Sequence, residues 1–139
     1  MDLLDYLPQK PPMRLIERIT ELVPGEFAAG GRDTVATDFY FEGHFPGQPI
    51  VPAVILVEML AQVGGLAAAA PRDGDPHTPP QLRVAGLGPF KFPSAAGPGS
   101  YLEARARVAG RLGGLFKIEG EVTADGRVVA TGSVTLAGG

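Results

Sequence analysis

Two ionisable side chains stand out in the stretch FEGHFPGQPIVPAVILVEMLAQ, which spans residues 41–62. His44 lies in a turn rich in glycine and proline, whereas Glu58 lies in an otherwise apolar run. Histidine titrates near neutral pH and is therefore suited to act as a general base. A carboxylic acid whose pKa is raised by burial can donate a proton. Such a pair is suited to removing one proton and expelling a poor leaving group.

The neighbours of both side chains leave structural alternatives open. Gln62 is four residues after Glu58, so in a helix the two side chains share a face and Gln62 is expected to orient the acid. The alternative is that this helical face is simply exposed to water. Phe45 is expected to anchor the turn of His44 in the core, and alone that histidine suits a structural role equally well. The second histidine, His77, is interpreted as a solvated loop residue.

The element that carries Glu58 is predicted to be a long buried helix that begins near Pro52, because proline is tolerated in a first turn. Residues 52–69 are apolar enough to suggest a membrane span. However, Glu58 and Gln62 lie inside this segment, and a carboxylate at the centre of a bilayer costs about 2.5–3.5 kcal/mol. A helix enclosed within a folded domain is therefore the better interpretation.

The rest of the chain is predicted to be rich in strands. Residues 13–22 suit either a helix or a strand, and residues 26–40 have strand-like parts whose glycines indicate a bulge or bend. Prolines predict an exposed loop over residues 70–81. Alternating apolar and polar residues give four further strand candidates: 81–92, 100–110, 115–123 and 126–137. The Asp125-Gly126 pair predicts a tight hairpin between the last two.

These elements predict an α+β fold with an antiparallel sheet of about five or six strands. A helix that is apolar on nearly all sides must be enclosed on nearly all sides. A strongly curved sheet wrapped around the helix achieves this enclosure, which is the hot-dog fold. The length of 139 residues predicts a single domain over residues 1–139. Because so short a chain buries a modest core, dimerisation is a common supplement.

Composition excludes several classes of function. Twelve Lys and Arg against fifteen Asp and Glu give a formal net charge of −3, which argues against binding to nucleic acid. The absence of cysteine excludes disulfides, thiolate catalysis and cysteine-ligated metals. The N-terminus lacks a basic segment followed by an apolar core, so no signal peptide is expected. We therefore expect a soluble cytoplasmic protein with no membrane partner.

The stretch GHFPGQPIVPAVILVEMLAQ, residues 43–62, resembles the signature of the FabZ-type 3-hydroxyacyl-acyl carrier protein dehydratases, roughly GHFPGxPIxPGVLxxEAMAQ. Weaker similarity extends over most of the chain. LPQKPPMRLIERI resembles the family's LPHRxPFLLVDRV opening, and KFPSAAGPGSYLEARARV resembles its KFRRPVxPGDxLxxxxxV strand. The matching positions in the signature are His44, Phe45, Pro46, Gly47, Pro49, Ile50, Pro52, Glu58, Ala61 and Gln62.

The resemblance implies a hot-dog dimer, often assembled as a trimer of dimers, with active sites at the dimer interface. It implies that His44 and Glu58 come from different subunits and dehydrate a 3-hydroxyacyl thioester to the trans-2-enoyl thioester. The substrate would be carried on the phosphopantetheine arm of acyl carrier protein, with no metal or other cofactor. Backbone N–H groups near Ala53 and Val54 would stabilise the enolate oxygen, and Gln62 would orient Glu58.

The sequence departs from the family pattern at three places. Ala53 replaces the usual glycine where the backbone approaches the thioester, so its methyl group is expected to narrow the site. Gln9-Lys10 replaces a His-Arg pair, and Pro93-Ser94 replaces a basic pair. Because the carrier protein is acidic, Lys91 and Arg83 are the candidate contacts with it. The alternative is that these cations only keep the surface solvated.

These departures suggest a specialised relative, for example one that serves a polyketide or polyene pathway; fatty-acid biosynthesis is the other pathway expected. Two other classes stay open. One is a weakly active subunit of a heterodimeric dehydratase, against which the presence of both His44 and Glu58 argues. The other is a different hot-dog enzyme, a thioesterase or an enoyl-CoA hydratase. A free-acid product would identify the thioesterase.

Overall fold

The computed structural model describes residues 3–70 and 81–138, in which one long helix packs against an antiparallel sheet. Two short 3-10 helices, Leu3–Tyr6 and Phe39–Phe41, accompany these elements. The elements in chain order are β1 (Arg18–Val23), β2 (Phe27–Asp33), α1 (Ala53–Ala69), β3 (Leu82–Leu87), β4 (Tyr101–Leu112), β5 (Leu115–Ala124) and β6 (Arg127–Gly138). The strand order in the sheet is β1-β2-β4-β5-β6-β3, and the hot-dog fold is confirmed.

The sheet wraps α1 so that the helix contacts β2, β4, β5 and β6. Alternation decides which face of each strand meets the helix: Leu102, Ala104 and Ala106 of β4 are buried, and their neighbours form the outer, charged face. Small residues let helix and sheet approach closely. A Cβ added at Gly64 would lie 2.6 Å from the side chain of Ile118. No helix among the described residues has the length and hydropathy needed to cross a membrane.

Most strand predictions match the structure, and strand β1 begins within the ambiguous segment 13–22. The candidate 81–92 is strand only as far as Leu87, after which Lys91 forms an isolated bridge with Thr131. Asp125 and Gly126 have φ of 49° and 86°, as their hairpin turn requires. The loop segment 71–80 with His77 lies outside the described residues.

The irregularity expected among the glycines of residues 26–40 lies instead on the neighbouring strand. The register shifts in β1 between Ile19 and Glu21, opposite β2. Glycine is needed in β2 for a different reason, since a Cβ at Gly31 would collide with the Leu102 carbonyl of β4. Here the glycine allows close strand pairing.

The enclosure of α1 is incomplete at its first turn. Val54 is 73% exposed, whereas Ile55 and Leu56 beside it are buried. The sheet also leaves two free edges, β1 and β3, and Leu87 on β3 is 62% exposed. Exposed apolar residues along a free strand edge favour pairing with another strand. A single chain therefore leaves one helical turn and both sheet edges uncovered.

Candidate active site

The turn that carries His44 is fixed by its own backbone. Gly43 and Gly47 have φ of +79° and +78°, a region in which residues with a Cβ are strained. Within the turn, Phe45 N–H donates to the Gln48 carbonyl at 3.1 Å, and Gln48 N–H donates back to the Phe45 carbonyl at 2.9 Å. The Ile50 N–H donates to the His44 carbonyl at 2.8 Å. The imidazole is thus presented by a closed loop.

The His44 ring has one nitrogen occupied and one available. Nδ1 lies 3.3 Å from the Ile50 carbonyl oxygen, and because a carbonyl can only accept, Nδ1 must carry the hydrogen in this contact. The lone pair of the neutral ring is then on Nε2. The Phe45 ring stacks on the imidazole with centroids 4.4 Å apart. The contact of His44 with the Ile50 carbonyl could not be predicted from the sequence, because a residue of any type can supply a backbone acceptor.

The prediction that Phe45 anchors the turn in the core is wrong. Its side chain is 54% exposed and lies over the imidazole. The physical reason is that the turn projects from the surface, with residues 45–49 all exposed in this chain. The buried anchors of this region are instead Tyr40 and Phe41, in the 3-10 helix before the turn.

Glu58 is held by a fully buried glutamine. The Gln62 side chain is 1% exposed, and its Nε2 donates to Glu58 Oε2 at 2.9 Å and to the Met13 carbonyl at 2.7 Å. Its Oε1 accepts from the Leu15 N–H at 3.0 Å. The backbone donor and acceptor fix which end of the amide is which, so Gln62 must donate to the carboxylate. The predicted contact between Glu58 and Gln62 is confirmed, and Glu58 itself is half-buried.

The start of α1 offers two free backbone donors. Pro52 is the residue immediately before the helix, and its carbonyl accepts from the Ile55 N–H at 3.0 Å. The N–H groups of Ala53 and Val54 have no acceptor within the part of the chain that the structure describes. Both residues are exposed. The first amides of a helix carry partial positive charge and bind anionic oxygens readily.

Within one chain, the structure joins some predicted residues and leaves others apart. His44 forms no hydrogen bond or ion pair with Glu58 among residues 3–70 and 81–138.

Lys91 and Arg83 are both exposed, and no ion pair engages either of them within the same residues. A groove of about 610 Å³ lies on the outer face of the sheet and includes neither His44 nor Glu58.

A cation that the sequence did not indicate lies where the family's basic pair is missing. Arg127 donates to the Ser94 hydroxyl at 3.1 Å and to the Ala95 carbonyl at 2.8 Å. The Ser94 hydroxyl in turn donates to the Val128 carbonyl at 2.8 Å. The contact joins two distant segments, so residue spacing could not reveal it.

A buried polar cluster lies behind the turn of His44. Arg32 Nη2 donates to Asp38 Oδ1 at 3.1 Å, and the Tyr40 hydroxyl donates to Asp38 Oδ2 at 2.8 Å. The guanidinium also lies over the Tyr40 ring at 5.6 Å. Burial, followed by the hydrogen bond to Asp38, raises the pKa of Tyr40 well above its ordinary value. Its phenol therefore stays protonated and acts as a donor.

Comparison with known proteins gives consistent matches. A family model described as a FabA-like domain matches residues 7–133. A 3-hydroxyacyl-(acyl-carrier-protein) dehydratase FabZ from Syntrophotalea carbinolica is 35% identical over 131 residues, which cover 94% of this chain and 87% of the relative. A protein of the same name from Nitratidesulfovibrio vulgaris is 35% identical over 135 residues, covering 97% and 87%.

A solved structure supports the fold. The dehydratase heterocomplex ApeI:P from Xenorhabdus doucetiae superposes with a TM-score of 0.78 at 18% identity, covering 100% of this chain and 91% of that chain. At this level of identity the superposition establishes a shared fold alone.

Proposed function

Since this chain belongs to the FabA-like family of 3-hydroxyacyl-acyl carrier protein dehydratases, we propose that it is a hydro-lyase acting on a 3-hydroxyacyl thioester. The product is the trans-2-enoyl thioester, and the carrier is acyl carrier protein. The observation that carries the proposal is the half-buried Glu58 held by Gln62 on the same helix whose first amides are free. An oriented acid beside a site for an anionic oxygen suits elimination of water.

In the proposed reaction His44 is the base. Its Nε2 removes the proton from the α-carbon, since Nδ1–H is engaged with the Ile50 carbonyl. The electrons of the broken C–H bond move towards the thioester carbonyl, whose oxygen becomes enolate-like. The Ala53 and Val54 N–H groups donate to that oxygen at the positive end of α1.

Glu58 completes the elimination as the acid. Its Oε2 accepts from Gln62, so Oε1 is the oxygen that carries the transferable proton. As the carbon–oxygen bond at the β-carbon breaks, this proton joins the departing hydroxyl and water leaves. The electron pair returns to form the carbon–carbon double bond, and Glu58 is left ionised. We propose that no metal and no cofactor beyond the phosphopantetheine arm takes part.

The active unit is proposed to be a homodimer that pairs along β3. Val84 and Leu87 on that free edge are 40% and 62% exposed, which suits a strand that a second copy covers. Leu82 of β3 lines a small cavity together with Gln62, so the edge runs next to the helix face of Glu58. A partner strand there would bring its own His44 turn towards Glu58. A paralogous partner in place of a second copy is the heterodimer alternative.

The acidic carrier protein is proposed to meet exposed cations. Lys91 and Arg83 are the candidates from the sequence, and Arg127 adds a cation beside Ser94. Complementary charge affects mainly the rate of encounter. The relatives' name supports acyl carrier protein as the carrier, and a fatty-acid or a polyketide pathway would differ in the acyl chain delivered.

The test is a mass-spectrometric assay of the purified chain on 3-hydroxyacyl-acyl carrier protein substrates of several lengths. We expect loss of one water from the acyl group in the wild type, with a fall of about 10²–10⁴-fold in His44→Ala and Glu58→Gln. His77→Ala and Glu26→Gln, the latter at an exposed position, are the matched controls. A free acid as product would establish a thioesterase instead, and rates unchanged in both site variants would end the assignment.

A further inference from the structure

The buried cluster of Arg32, Asp38 and Tyr40 does not belong to the reacting groups. The side chains of Arg32 and Asp38 are only 12% and 10% exposed. An ion pair so far removed from water loses hydration energy that its mutual attraction only partly returns, so burial of this kind is weak evidence for stability. Moreover, Arg32 Nε is buried and has no hydrogen-bond partner among residues 3–70 and 81–138. The contacts made by the pair indicate another role.

On one side, the guanidinium reaches Glu58 through three hydrogen bonds. Arg32 Nη1 donates to the Leu15 carbonyl at 3.2 Å. Leu15 N–H donates to Gln62 Oε1 at 3.0 Å, and Gln62 Nε2 donates to Glu58 Oε2 at 2.9 Å. Leu15 itself is fully buried, so its N–H and the Gln62 Oε1 meet away from solvent. Arg32 thereby fixes the segment before β1 that keeps the Gln62 amide facing Glu58.

On the other side, Asp38 organises the chain that enters the turn of His44. Its Oδ2 accepts from the Val35 N–H at 2.9 Å as well as from the Tyr40 hydroxyl. Its backbone carbonyl accepts from the Phe41 N–H at 3.2 Å, and the Phe41 carbonyl accepts from the His44 N–H at 3.1 Å. The carboxylate thus folds the segment whose end positions the proposed base.

We propose that the Arg32–Asp38 ion pair is the positioning element shared by both halves of the active site, with Arg32 acting through Leu15 and Gln62 on Glu58, and Asp38 acting on the turn of His44. The inference rests on the proposed function for what the two halves do. Arginine suits this place because its planar fork donates from two nitrogens in fixed directions, one to the Leu15 carbonyl and one to Asp38. Lysine keeps the charge but cannot reproduce the fork.

The kinetic test compares Arg32→Lys and Asp38→Asn with Arg18→Lys and Asp33→Asn. The control pair, Arg18–Asp33, also involves β2, spans 2.9 Å and is exposed at 47% and 63%. We expect kcat on a 3-hydroxyacyl-acyl carrier protein substrate to fall about 10²-fold in the buried variants, because a misplacement near 1 Å costs that much. KM should change little, since neither residue touches substrate. The exposed variants should keep wild-type kcat.

A second measurement does not depend on activity. Side-chain amide NMR of the wild type should show the Gln62 NH₂ protons protected from exchange, with Gln62→Ala identifying the signal. Arg32→Lys should abolish this protection, and Asp38→Asn should shift the ¹⁵N resonances of the His44 ring, which His77→Ala distinguishes from those of the other histidine. A folded Arg32→Lys with wild-type kcat and a protected Gln62 amide would overturn the inference. If the wild type lacks dehydratase activity, the proposed function fails, and the NMR result alone decides the positioning role.

Discussion

The two halves of the candidate site are held in contrasting ways within one chain. Glu58 lies on a helix, and its partner Gln62 is 1% exposed and has its amide hydrogen-bonded on both sides. His44 lies in a projecting turn, and the Phe45 ring stacked on it is 54% exposed. Glu58, the proposed acid, is therefore oriented by the core of its own chain. His44, the proposed base, lies on a surface that the second copy of the proposed dimer would cover.

The largest effect is expected from complementation between two inactive variants. This experiment tests whether His44 and Glu58 of one site come from different chains. His44→Ala and Glu58→Gln should each lose about 10²–10⁴-fold in activity alone. In a mixed dimer one site lacks both residues and the other has both, so random pairing should restore about a quarter of wild-type activity. The measurement is the dehydration rate of the co-expressed pair, carrying different affinity tags. Recovery of nothing would show that both residues come from the same chain.

Breaking the proposed interface should have the next largest effect. Leu87→Asp puts a charge on the free edge of β3, where the wild-type side chain is 62% exposed in one chain. Burying an unpaired charge costs several kcal/mol, so we expect a monomer at micromolar concentration with little activity. Sedimentation velocity gives the state of assembly. Leu112→Asp, at an equally apolar position that is 80% exposed in the β4–β5 hairpin, is the matched control and should leave a dimer.

Sequence patterns predicted these two halves unequally, for a physical reason. The contact of Glu58 with Gln62 followed from a spacing of four in a helix, because local geometry fixes which side chains meet. The exposed ring of Phe45 was mispredicted, because its hydrophobicity indicated burial in its own chain and sequence does not say which chain covers it.

Contacts between distant segments lay beyond prediction. The Gln62 amide binds backbone atoms of Met13 and Leu15, which carry no residue-type signal. No sequence pattern pointed to Arg32 or Asp38, whose side chains are only 12% and 10% exposed after folding. The fold was easier to predict because alternation along β4–β6 and the apolar helix are repeated, local patterns.

Removing the side chain that orients Glu58, while keeping Glu58 itself, should have an intermediate effect on the rate. Gln62→Ala leaves the Leu15 N–H without its buried acceptor and Glu58 without its donor. We expect the free energy of unfolding to fall by about 1–3 kcal/mol, the cost of unsatisfied buried groups. The rate should fall about 10–100-fold, as when a group that orients another is removed. Urea denaturation and kcat measure the two effects; Gln48→Ala, exposed in the turn, is the control.

The cluster of Arg32, Asp38 and Tyr40 predicts that the free energy of unfolding falls at high pH. Burial raises the pKa of Tyr40 above its ordinary value of 10.0, and its hydrogen bond to Asp38 raises it further, while the nearby Arg32 lowers it. Above pH 10 the unfolded tyrosine ionises and the folded one does not, so stability present below that pH is lost as pH rises. Tyr40→Phe should lose less stability between pH 9 and about 11. Thermal unfolding against pH measures the difference; parallel curves would contradict it.

The smallest expected effect concerns Ala53, the first residue of α1, which lies between His44 and Glu58 in the sequence. Ala53→Gly removes a methyl group from the exposed first turn and keeps the N–H donor, so it should raise kcat/KM by about 2–5-fold, under 1 kcal/mol of barrier. Glycine lowers helix stability by up to about 1 kcal/mol relative to alanine. Ala69→Gly, at the other end of α1, carries the same kind of helix penalty far from the free amides and should leave kcat/KM unchanged. Equal kinetics in the two variants would mean that the Ala53 methyl group does not restrict the thioester, and the difference between this site and that of its relatives would then lie elsewhere.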